Sequence, residues 1–142
     1  MTLLRGLIGV LVALAIAVGF VQVLELMLAN AVAGRAMQSL EEYAVVLNSW
    51  PMLAARLVVS SFMALLGGYV CAKLAEQDEM RYTMIAVLFR LMAVAAGNAA
   101  GYMPYTPAFA LAVLLAVSSG AMLTGGAVRA AAAAAQRKKE SH

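Results

Sequence analysis

The sequence predicts an all-α polytopic membrane protein, a bundle of four transmembrane helices, and three observations predict it. The first is hydrophobic layout. Residues 6–24, 57–72 and 91–128 carry no charge. A helix needs about 20 apolar residues to cross a bilayer. The third stretch is too long for one crossing, and Gly101-Tyr-Met-Pro104-Tyr-Thr-Pro107 interrupts it, so it holds two. The second is composition. Only 12% of the 142 residues are charged, where a soluble domain carries roughly 25%. The third is charge placement. With four crossings, the N-terminus, second loop and tail share one side. That side holds Arg5, Lys73, Arg81, Arg129, Arg137, Lys138 and Lys139, and the other holds Arg35 and Arg56. Lys and Arg are retained in the cytoplasm, which predicts cytoplasmic N- and C-termini.

The whole chain is expected to be one membrane domain. The first helix is expected over 3–29. Its N-terminal Arg5 and later Ala31-Val-Ala33 resemble a secretory signal. Signal cores are only about 7–15 residues long, so an uncleaved helix is the expectation. The first outer connection covers 30–52. Within it Met37, Leu40, Ala44 and Leu47 recur at helical spacing. That pattern fits either an amphipathic interfacial helix over 35–48 or a loop packed over the bundle mouth. Trp50 favours the interface, and Pro51 suits a helix start.

The second helix is expected over 53–74, the third over 82–101 and the fourth over 106–128. Residues 129–142 form a basic tail whose Ala130–Ala135 run can prolong the fourth helix, since Ala is the best helix former. Arg137-Lys-Lys139 suits anionic lipid head groups and is too short to suggest nucleic-acid binding. Pro104 and Pro107 stop the helix at the last outer turn, and Tyr102 and Tyr105 mark the interface.

Helices in lipid associate by close packing, and small residues at four-residue spacing let backbones approach. Three such stripes are present: Ala64, Gly67, Gly68 and Cys71; Ala93, Gly97 and Gly101; and Ala112, Ala116, Gly120 and Thr124. Gly67, Gly68, Gly97, Gly101 and Gly120 are therefore expected at helix seams. Cys71 reads as a small buried core residue.

Signatures of soluble enzymes are absent. There is no Gly-rich phosphate loop and no Cys or His cluster, and the one His is His142. No catalytic or metal-binding constellation and no cofactor is expected. Glu25, Arg56 and Arg90 are the charges inside the apolar zone. Such residues are costly in lipid and face the bundle interior or a partner. Glu25 and Arg56 lie at similar shallow depth near the outer face, with opposite signs. A structural ion pair is the expected arrangement; a proton or cation site at Glu25 is the alternative. Arg90 lies roughly 12 Å from the cytoplasmic edge by helix rise. At that depth Gly67-Gly68 and Ser118-Ser119 offer acceptors; the alternative is that its stem snorkels toward cytoplasmic phosphates. Asn98 is a candidate for a hydrogen bond across the bundle.

Several segments carry a family likeness: Leu24-Glu25-Leu26, Ala64-Leu-Leu-Gly-Gly-Tyr-Val-Cys-Ala-Lys-Leu-Ala75, Asn98…Pro104-Tyr-Thr-Pro107 and Thr124-Gly-Gly126. In these the chain resembles a broad group of small four-helix bacterial inner-membrane proteins with no assigned activity. That group often carries His between the two prolines; here Tyr105-Thr106 stands there. The resemblance implies the topology and a bacterial inner membrane.

The functional expectation is an accessory or structural membrane protein acting through helix contacts. Its partners would be the bilayer and either further copies of itself or a larger membrane complex. The alternative is a small transporter or channel with Glu25 as a proton or cation site.

Overall fold

The computed structural model describes residues 2–76, 78–99 and 106–140. Among them every regular element is helical. Four helices are long and apolar enough to cross a membrane, and the protein is an all-α polytopic bundle.

The first crossing is a single rod. It consists of α1 (Thr2–Leu14), a π-helical segment (Ala15–Phe20) and α2 (Val21–Ala33). Its inward face runs Ala13, Ala17, Val21, Glu25 and Ala29, at intervals of four. In a regular α-helix that interval drifts by about 40° per step. The wider i→i+5 turns of a π segment offset the drift and keep the row on one face.

The rod ends four residues later than expected. Ala31, Val32 and Ala33 continue the helix, and Gly34 stops it with φ of 68°, a left-handed conformation that glycine adopts without strain. The Asn30 side chain then accepts a hydrogen bond from the Met37 amide at 3.2 Å.

The outer connection contains a short helix, α3 (Leu40–Leu47), which starts five residues later and ends one earlier than the expected 35–48 segment. Ser39 caps it, accepting from the Glu42 amide at 3.1 Å. The Glu42 side chain in turn accepts from the Gln38 amide at 3.2 Å. This reciprocal arrangement is close to a capping box, and it sets the helix start at Leu40. Ala44 and Leu47 turn inward, Leu47 packing with Ala29 and Met52. Leu40 and Val45 point outward. The segment is thus both helical and packed over the bundle mouth.

α4 (Trp50–Ala75) starts three residues earlier than expected because Pro51 occupies its first turn. α5 (Glu79–Ala99) also starts three residues early. The turn before it is tight, with positive φ at Glu76 and Asp78. α6 (Ala108–Glu140) runs unbroken through the alanine run into the basic tail.

α4 is the central helix. It packs most extensively on α6 and next on α1. Its buried row is Met52, Arg56, Ser60, Ala64, Gly68 and Ala72, again at intervals of four. Leu11, Phe20, Met27, Val58, Phe62, Leu88 and Phe109 remain exposed on the outside. A continuous apolar exterior is costly in water and is what a lipid-facing surface requires.

The seams differ from the expected ones in part. Gly67 and Gly68 lie in tight contacts. A methyl group on Gly68 would overlap the Met122 carbonyl oxygen, and one on Gly67 would sit 3.1 Å from the Ala13 carbonyl oxygen. Gly97 and Gly120 have open space beside them, which corrects their assignment to seams. The inward face of α6 is Ala110, Leu114, Ser118, Met122 and Gly126, and that of α5 is Thr83, Val87, Arg90 and Val94. Gly125 takes the role expected of Gly120: a methyl group there would overlap the Leu65 carbonyl oxygen. Gly101 lies outside the described residues.

Candidate functional site: a charged centre inside the bundle

The inward rows bring three ionisable side chains together near the outer half of the bundle. Arg56 Nε donates to Glu25 Oε1 at 3.1 Å, joining α4 to the first rod. The side chains are only 6% and 12% exposed respectively, so this pair is more enclosed than its shallow depth suggested. A second guanidinium nitrogen of Arg56, Nη1, lies 3.4 Å from Thr106 Oγ1, ahead of α6. The rod, α4 and the segment leading into α6 therefore meet at one guanidinium. That suits Arg, which presents several donors in a rigid planar fork.

Tyr43 of α3 packs against the cluster of Ala29, Leu47 and Met52. Burial raises its phenol above the usual value of 10, the Glu25 carboxylate adds to that, and Arg56 opposes it.

Ser60 lies one turn beyond Arg56 on α4 and shares its face. Its hydroxyl accepts from Arg90 Nη2 of α5 at 3.2 Å. Arg90 is 4% exposed, and its Nε and Nη1 have no hydrogen-bond partner among the described residues. This corrects the expectation that Arg90 engages Gly67-Gly68 or Ser118-Ser119. Gly67 and Gly68 are occupied by the helix seams. The Ser118 hydroxyl turns back to the Leu114 carbonyl of its own helix, as serines in helices commonly do. Asn98 belongs to α5, but its side chain lies outside the described residues.

Glu25, Arg56, Ser60 and Arg90 line one cavity of about 50 Å³, whose remaining wall is largely apolar side chains such as Val21 and Leu114. Three members of this centre went unnoticed in the sequence: Ser60, Thr106 and Tyr43. Only Ser60 had a usable signal, its four-residue spacing from Arg56 and Ala64. Among the described residues no group of three or more His, Cys, Asp or Glu converges, so the centre is one of guanidinium, carboxylate and hydroxyl groups.

The remaining charges sit at the two ends. Arg5 pairs with Glu76, and Arg137 reaches both the Glu76 carbonyl at 2.6 Å and Glu79 at 2.9 Å. The N-terminal helix, the second loop and the tail are thereby tied at one end of the bundle. Arg35 pairs with Glu42 at the other end.

No protein-family model matches the chain, and neither does any curated protein or solved structure.

Proposed function

We propose that this multi-pass protein is an accessory or structural component of a bacterial inner membrane, working through helix contacts as a homo-oligomer or as a small subunit of a larger assembly. Both termini face the cytoplasm in this reading. The observation that carries it is the engagement of Glu25. The carboxylate inside the apolar zone is held by Arg56, which itself spans to Thr106. Around it the glycine seams at Gly68 and Gly125 bring backbones into contact. A carboxylate held in this way and helices locked this closely suit a scaffold.

The transporter reading has one observation in its favour, that Glu25 lines a cavity. Two guanidinium groups line the same cavity, and their charge opposes cation binding. Native mass spectrometry of protein extracted gently from its own membrane tests the proposal. The expected result is a species heavier than a single copy, containing either further copies or a second subunit. A bare monomer, together with proton-coupled flux in liposomes that Glu25→Gln abolishes, would replace this reading with transport.

A further inference from the structure

We propose that the cavity between Glu25, Arg56, Ser60 and Arg90 binds a small monovalent anion of about chloride size, with Arg90 as its principal ligand. The argument begins with charge. The chain has seven acidic residues. Glu42, Glu76 and Glu79 pair with Arg35, Arg5 and Arg137. Glu41 lies in α3, Asp78 in the turn before α5, and Glu140 at the end of α6. Only Glu25 stands inside a crossing, and it is engaged by Arg56. Residues 91–128 contain no acidic residue, so the last outer turn cannot supply a carboxylate. Two guanidinium groups and one carboxylate thus leave the centre with one uncompensated positive charge.

Arginine stays protonated in proteins, and a buried charge is paired or strongly penalised. Among the described residues Arg90 meets the neutral Ser60 hydroxyl, and its Nε and Nη1 have no partner there. Both nitrogens are themselves shut off by protein, so an ion would meet Arg90 through its charge and through the part of the side chain that lines the cavity. Snorkelling to head groups does not relieve it. Arg90 is eleven residues into α5, about 16 Å along the axis, and it is enclosed by protein. What the site lacks is an acceptor carrying one negative charge. The space is about 50 Å³, while a single water needs only about 10–15 Å³. A chloride-sized ion fits, and the Arg56 guanidinium across the cavity adds to the attraction. The inference is independent of whether the chain acts alone or in an assembly.

The test uses the full chain purified in a neutral detergent with gluconate as the sole anion. Chloride is titrated at constant ionic strength, and both the Tm and the protein-dependent broadening of the chloride-35 resonance are followed. The expected result is a saturable rise in Tm of several degrees and broadening that a competing small anion, nitrate, removes. Arg90→Gln should weaken chloride binding at least tenfold. Arg90→Lys, which keeps the charge, should retain part of it. Glu25→Gln should tighten it severalfold, because it removes the carboxylate that competes for the same field. A Tm equal in chloride and gluconate, with no broadening, overturns the proposal. So does stabilisation by phosphatidylglycerol vesicles with no response to chloride, which would assign the counter-charge to a lipid phosphate.

Discussion

Arg56 concentrates the energetics of the centre in one side chain. Its pair with Glu25 is nearly enclosed, which separates it from a surface ion pair worth about 0–1 kcal/mol. Removing one member of a buried pair leaves the other charge without compensation, at about 3–5 kcal/mol. Glu25→Gln and Arg56→Gln should each lower stability by that order, read from thermal or denaturant unfolding in detergent. The double variant should cost less than the sum by more than about 1 kcal/mol, since residues in one network couple. Losses that add to within about 0.5 kcal/mol would mean that the two side chains do not support each other. The pairing was legible in the sequence because opposite charges at matched depth in lipid have few other partners. The enclosure was not legible. It comes from the inward faces of the rod and α4 meeting beside Thr106, which depends on where three separate segments come together.

At the scale of the element, an interval of three or four residues organises every crossing, and its phase decides which residues meet. α6 carries small residues on two faces, and on the inward one they alternate with Leu114 and Met122. Ala112, Ala116 and Gly120 lie outward, while Ala110, Ser118 and Gly126 lie inward. The expected seam followed the first row, and the bundle uses the second. The physical reason is the solvent. Lipid and helix interior are equally apolar, so hydrophobicity assigns no direction to a helix face. The buried Arg90 and Ser60 do assign one, since a charged or polar side chain turns away from lipid. Substitutions separate the rows. Gly68→Ala and Gly125→Ala force a methyl group against a backbone carbonyl and should cost about 1–3 kcal/mol by overpacking. Gly97→Ala and Gly120→Ala meet open space and should leave the Tm in detergent unchanged or slightly raised. Equal losses at all four positions would show that the outward faces are also packed.

At the scale of the whole molecule, the two ends of the bundle carry different charge arrangements. Arg5, Glu76, Glu79 and Arg137 knit the N-terminal helix, the second loop and the tail at one end. The segments predicted to share a side do meet there. Their basic excess should hold that end in the cytoplasm. A reporter active only in the cytoplasm, fused after His142, should therefore be active, and a periplasm-active reporter at the same position should be silent. The reverse pattern would invert the orientation without altering any contact inside the bundle.

By itself the sequence determined the number of crossings, their approximate limits and the odd charge within them. These follow from chain-local quantities: the length of apolar runs, proline positions and the count of acidic against basic residues. Only the tertiary structure decided which faces turn inward, that Arg90 meets Ser60 and not the glycine pair, and that a cavity opens between two guanidinium groups. Those outcomes depend on the relative rotation of helices. In a bilayer that rotation is set by steric fit and by a few buried polar groups, each specified jointly by residues far apart in the chain.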